Sequence, residues 1–161
     1  MILGIDPGLG GALALYDPQK SVLIGVCDMP TFAITVNGKT RRQIDLVKLK
    51  AWLAWYELGA SHAVIEEPHA MPGQGVTSSF SFGFACGVAQ MAVASLDIPM
   101  TLVRTATWKR AMNLTADKDA ARKRASQLMP QSAHLWTRKC DDGRAEAALL
   151  AYYGSLVRLQ R

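Results

Sequence analysis

The chain has 161 residues, half of them hydrophobic and 19% charged, with 18 Lys and Arg against 13 Asp and Glu for a net charge of +5. That suits a single domain over residues 1 to 161 with a normal core, and no uninterrupted apolar run approaches the roughly 20 residues that span a bilayer, so no membrane partner is expected. Cys27, Cys86 and Cys140 are odd in number and far apart, and His62, His69 and His134 form no ligand pattern, which argues against disulfides and zinc.

In chain order, residues 1 to 7, 11 to 17 and 21 to 28 read as three strands joined by tight Gly- or Pro-containing turns, an antiparallel meander. The first strand starts without a basic leader, from which a cytoplasmic location is expected. A strand near residues 32 to 36 precedes a loop carrying Lys39, Arg41 and Arg42. Asp45 can cap a helix through Leu58 that Gly59 ends. Residues 64 to 66 form the next strand. A Pro- and Gly-rich loop over residues 67 to 78 leads to a helix over residues 79 to 95, whose small residues suit close packing. Phe80, Phe82 and Phe84 at its start fill the core or insert into a partner, core being the simpler reading. A strand over residues 100 to 103 follows, then a short helix with Trp108, Lys109 and Arg110 that Thr105 can cap. Residues 116 to 129 form a further helix and 130 to 141 a polar linker, before a final helix over residues 143 to 156.

Three antiparallel strands followed by helix, strand, helix, strand and helices describe an α/β fold: a mixed five-stranded sheet flanked by helices. The first strand would be central. A crossover through the helix of residues 45 to 58 lays the strand of residues 64 to 66 parallel beside it, and sites of open α/β sheets lie outside the strands' carboxyl ends.

Carboxylates occupy that edge. Asp6 and Glu66 each close an apolar strand, and adjacent strands about 4.8 Å apart would bring both to one ion. Asp142 and Glu146 stand four apart, so on a helix they share a face, and a carboxylate in so apolar a helix needs a partner. A carboxylate after a strand is commonly a turn former and Asp142 could cap its helix, but no cap explains Glu146 and no turn chemistry requires Glu66. Glu67 and Asp141 face away from these positions. With the four carboxylates set aside, 18 cations face 9 anions. An acidic pocket in a basic exterior suits a metal-dependent enzyme acting on nucleic acid. The basic clusters are Lys39, Arg41 and Arg42; Lys109 and Arg110; and Lys118, Arg122, Lys123 and Arg124. The last is equally a solvated helix face balanced by Asp117 and Asp119.

Ile5-Asp6-Pro7-Gly8, Ile65-Glu66-Glu67 before a loop, and Asp142-Gly143-Arg144-Ala145-Glu146-Ala147 resemble the motifs of the RuvC family of Holliday-junction resolvases, a branch of the ribonuclease-H-like nucleases. The resemblance covers nearly the whole chain. It departs at the last motif, where the family commonly carries two aspartates three residues apart; here Gly143 stands at the first position, Glu146 at the second, and Asp142 one residue early. The loop after Glu66 offers His69 and Met71 where the family often carries an aromatic.

The resemblance implies a homodimeric crossover junction endodeoxyribonuclease, bacterial or phage-encoded. It would nick four-way DNA symmetrically with two Mg²⁺ ions, Mn²⁺ being a possible substitute, held by Asp6, Glu66, Asp142 and Glu146. Lys118 would neutralise charge at the scissile phosphate, and Lys109, Arg110, Arg122, Arg41 and Arg42 would contact DNA. The sequence identifies no helicase partner. Two alternatives stay open: a nuclease for flaps, forks or other branched DNA, and a non-catalytic junction-binding module. A nucleotide hydrolase is disfavoured, because one glycine-rich turn after Asp6 is not a P-loop.

Overall fold

The computed structural model describes residues 1–36, 38–57, 59–67, 73, 75–115, 117 and 119–158. Lys118, His69, Met71, Pro68, Pro72 and Leu58 therefore lie outside the described residues.

Strands β1 (Ile2–Asp6), β2 (Ala12–Asp17) and β3 (Val22–Asp28) form the antiparallel meander that their alternation predicts. Strands β4 (Thr31–Val36) and β5 (Lys39–Ile44) pair with each other as a separate two-stranded sheet. This corrects the expectation of a loop at Lys39, Arg41 and Arg42. Strand β5 lacks apolar alternation, so nothing local marks it; pairing with β4 across Gly38, at φ +72°, makes it a strand.

Helix α1 (Leu46–Glu57) follows, with Asp45 accepting from the Lys48 N–H at 3.0 Å as the expected cap. Strands β6 (His62–Glu66) and β7 (Met100–Val103) complete a five-stranded sheet of order β3-β2-β1-β6-β7, with β1 central and β6 parallel to it.

Alternate side chains of the sheet feed two cores. Leu3, Ile5, Leu13, Leu15 and Ile65 pack on α1 and on α2 (Val76–Ala94). Ile2, Ala14, Tyr16 and Val64 pack beneath α5 (Asp142–Arg158), together with Trp108 of α3 (Thr105–Ala111) and Ala121 and Ala125 of α4 (Ala120–Leu128). The linker before α5 is two 3-10 turns, Pro130–Trp136 and Lys139–Asp141.

Helix α2 departs from expectation in four respects. By length and composition it could cross a membrane, with 19 residues of mean hydropathy 1.3, although no uninterrupted apolar run is present. In the fold, Ala85, Cys86, Ala89 and Val93 face the sheet, while Phe80 and Phe84 are 77% and 45% exposed rather than core. The helix also starts three residues early, and a Cβ at Gly83 or Gly87 would meet nothing within 4 Å, so among the described residues neither glycine serves close packing.

Candidate active site

Strand β1 ends at Asp6, whose Oδ1 accepts from the Gly8 N–H at 3.5 Å, while the Gly11 N–H closes the turn onto the Gly8 carbonyl at 2.9 Å. The turn leaves no space for a side chain: a Cβ at Gly11 would lie 2.1 Å from the Asp6 carbonyl oxygen. The first turn of α5 presses on the same backbone. A Cβ at Gly143 would lie 2.3 Å from the Gly10 carbonyl oxygen and 2.8 Å from Gly11 Cα. Farther along, α5 rests on β1 through Gly4, where a Cβ would meet the Ala147 carbonyl oxygen at 2.1 Å. Arg144 clips the start of α5 to the end of β3 through two bonds to Asp28, at 2.5 and 2.7 Å. The close backbone approaches at Gly143 and Gly4 and one bidentate ion pair thus set the helix bearing Asp142 and Glu146 against the turn bearing Asp6.

Glu66 ends β6, one step beyond the Ile5 to Ile65 partnership with β1. It is buried, and both carboxylate oxygens are occupied: Thr105 Oγ1 donates to Oε1 at 2.6 Å and Trp108 Nε1 to Oε2 at 3.0 Å. The Thr105 hydroxyl therefore serves Glu66 rather than capping α3, whose cap position is Arg104. A buried carboxylate left without donors costs more than an uncapped helix end, which decides the competition. Neither Thr105 nor Trp108 is assigned to the site by sequence reasoning. The available signal was that Thr105 follows β7 at the edge where Asp6 and Glu66 end their strands.

Glu146 meets Lys109 Nζ at 2.8 Å, and the ammonium lies 5.3 Å from the Trp108 ring centroid. Asp142 Oδ1 lies 2.9 Å from Arg122 Nε, an approach not aligned as a hydrogen bond, and both atoms are buried without a hydrogen-bond partner. Arg122 also pairs with Asp119 and donates to the Thr137 carbonyl at 3.2 Å. A cleft of about 520 Å³ opens beside these groups, lined by Lys109, Thr115, Asp117, Asp142 and Glu146 among others.

The electrostatics mark Asp6, Glu66 and Glu146 as one cluster. Burial, and after it the charges of Glu146 and Glu66, push the Asp6 carboxyl up from 3.8 to about 7, against the Gly8 N–H and Lys109. Burial also raises Glu146; Glu66 and Asp142 add to the rise and Lys109 opposes it. Among the described residues no three His, Cys, Asp or Glu side chains yet enclose a common point as metal ligands do. Protein cations and donors hold the oxygens instead. The donor set is all carboxylate oxygen, the chemistry of a hard divalent cation, and the grouping of Asp6 with Glu66 and Glu146 fits such an ion.

The other candidates are placed as follows. Glu67 reaches Arg104 at 3.4 Å, and Asp141 is buried against Arg138 at 2.8 Å, whose hydrogen bond holds it down at about 2. Both stand outside the cluster. Arg110 is exposed in the last turn of α3, and Arg41 is exposed on β5. Arg42 donates to the Leu9 carbonyl at 2.6 Å and to Thr31 Oγ1 at 3.0 Å. The balance expected on α4 is present, since Lys123 pairs with Asp117 at 3.0 Å and Arg122 with Asp119.

No family model matches the chain, and no curated protein matches its sequence. Solved structures do. A structure of Thermus thermophilus RuvC in complex with Holliday junction substrate aligns over 99% of this chain and 95% of that one, at 16% identity and a TM-score of 0.60. A second Thermus thermophilus RuvC structure aligns over 99% and 96%, at 14% identity and a TM-score of 0.58. The fold is the RuvC fold. Within it, the five-stranded sheet and the helix along β1 carry the cluster of Asp6, Glu66 and Glu146, and the β4 and β5 hairpin stands as a sheet of its own.

Proposed function

We propose that the chain is a divalent-metal-dependent, structure-selective DNA endonuclease that resolves four-way junctions by paired symmetric nicks. The observation that carries this reading is the gathering of Asp6, Glu66 and Glu146 at the carboxyl edge of β1 and β6, in a chain with the RuvC fold.

Asp6, Glu66 and Glu146, with Asp142, would hold Mg²⁺ or Mn²⁺. Bound there, such an ion would offset negative charge on a phosphodiester and lower the pKa of a coordinated water. The chain's own residues prepare the site. Thr105 and Trp108 fix the orientation of Glu66, and the backbone contact at Gly143 sets the height of Glu146 over Asp6. Lys109, already beside Glu146, is positioned to meet a phosphate oxygen, with Lys118 expected in the same service. Arg122 orients Asp142, while Arg110 and Arg41 extend a basic border.

A homodimer would relate two such sites by a two-fold axis and cut both strands symmetrically. Supporting it, Thr77, Phe80, Phe84, Gly87, Met91 and Ala94 recur at alternating three- and four-residue steps along the exposed face of α2, the spacing of a helix-pairing seam.

One observation favours a second reading, a non-catalytic junction-binding module: Lys109 and Arg122 already compensate Glu146 and Asp142. Incubation with end-labelled four-way junction, flap, fork and linear duplex, in Mg²⁺ or EDTA, separates the readings. Mg²⁺-dependent cuts confined to the junction support resolution, and cuts on flaps or forks reassign the substrate. Junction binding without cuts under any metal leaves the binding module.

A further inference from the structure

The hairpin of β4 and β5 is six residues long on each side and, apart from its base at Ile44, exposed or half-exposed throughout. An isolated two-stranded ribbon is marginal in water, so one that extends from the body with uncovered apolar side chains calls for a partner.

Its register separates two faces. Phe32 stands opposite Gln43, Ile34 opposite Arg41, and Val36 opposite Lys39, so these six side chains share one face. Phe32 and Val36 are 44% and 40% exposed there. The other face carries Thr31, Ala33, Thr35, Thr40 and Arg42. The sequence from residue 31 to 44 contains three cations and no Asp or Glu. A surface of one sign, with an aromatic and aliphatic ladder beside it, complements a polyanion that also offers apolar base edges and thymine methyls.

The base of the ribbon is tied to the turn that follows Asp6. Arg42 reaches across to the Leu9 carbonyl and Thr31 Oγ1, the Met29 N–H donates to the Gly11 carbonyl at 2.8 Å, and the Asp45 N–H donates to the Pro30 carbonyl at 2.8 Å. A duplex lying on the ribbon would adjoin the carboxylate cluster. Six residues at about 3.3 Å each make a ribbon about 20 Å long, and a two-stranded ribbon is one of the elements that the major groove admits.

We propose that this ribbon is a DNA-reading arm: the face of Phe32, Ile34, Val36, Lys39, Arg41 and Gln43 docks in the major groove of a duplex arm of the branched substrate. Arg42 is its positioning residue, holding the arm to the catalytic turn instead of contacting phosphate. The inference rests on the nuclease reading above and adds which arm of the substrate is held and by what.

The test is fluorescence anisotropy of a labelled four-way junction in EDTA over a salt series, with the wild type, a Lys39→Ala, Arg41→Ala double variant and Phe32→Ala. All three substituted side chains are exposed, and circular dichroism melts check that folding is kept. The double variant is expected to bind at least about tenfold more weakly near 0.1 M salt and to lower the salt slope by about 2, as loss of two phosphate contacts requires. Phe32→Ala is expected to weaken binding with the slope unchanged. Wild-type affinity and slope in the double variant, while the wild type itself binds and cuts junctions, would overturn the inference and leave the nuclease reading standing. Failure of the wild type to bind any branched DNA would overturn both. Sedimentation of the variants decides the remaining occupant: loss of dimer together with loss of binding would assign the face to a second copy and overturn the DNA assignment.

Discussion

Asp6→Asn should make the metal-free protein more stable. The folded protein holds the Asp6 proton to about pH 7, against 3.8 ordinarily, because desolvation and then the charges of Glu146 and Glu66 disfavour the ionised form. Between those two values the native state binds more protons than the unfolded chain, so the Asp6 contribution to stability falls as pH rises through this window and is at its worst above pH 7. At about 1.4 kcal/mol per tenfold the full penalty is on the order of 4 kcal/mol, and solvent at this half-buried group reduces the expectation to about 2–3 kcal/mol. Asn keeps the shape without the charge. In EDTA at pH 8 the variant should therefore melt about 4–12 °C higher than the wild type. At pH 4 the difference should shrink below about 1 kcal/mol, since neither state ionises this group fully there. Mg²⁺ should stabilise the wild type and not the variant. Scanning calorimetry at both pH values in EDTA and in Mg²⁺ reads all of this. An Asp6→Asn protein no more stable than wild type at pH 8, or equally stabilised at pH 4, would refute the like-charge account.

Gly143→Ala places a methyl 2.3 Å from the Gly10 carbonyl oxygen, so α5 must lift from the Asp6 turn. Cleavage should fall at least tenfold for a stability loss of about 1–3 kcal/mol, measured by single-turnover kinetics and urea unfolding. Trp108→Phe removes a donor from buried Glu66; a cost of about 1–2 kcal/mol and weaker Mn²⁺ binding by titration calorimetry are expected. Lys109→Met leaves Glu146 without its counter-charge. The metal-free protein should lose about 1 kcal/mol, gain a larger thermal shift on Mg²⁺ addition, and cleave more slowly.

What was legible in the sequence was what local pattern controls. The apolar runs that break at Asp6 and Glu66 located two parallel strand ends at one edge, and the four-residue step from Asp142 to Glu146 located a shared helix face. What was not legible depends on contacts between distant elements. Strand β5 carries Lys39, Arg41 and Arg42 where alternation would be apolar, so it read as a loop until paired with β4. The two exposed phenylalanines of α2 read as core because hydrophobicity does not reveal that, among the described residues, none covers Phe80 and Phe84. Thr105 read as a cap because its attraction to Glu66 spans 39 positions. The pairing of Asp142 with Arg122 likewise requires the approach of α4 to α5, and the need for glycine at position 143 requires the approach of α5 to the Gly10 and Gly11 backbone.

The most direct test of a metal-dependent junction nuclease is nick mapping on all four strands of an end-labelled four-way junction, with wild type and Asp6→Asn side by side in Mg²⁺. Paired nicks at symmetric positions on opposing strands, made by the wild type and absent with Asp6→Asn although that variant still binds the junction, are the predicted result. Equal cutting by both proteins would contradict the role assigned to the carboxylate cluster.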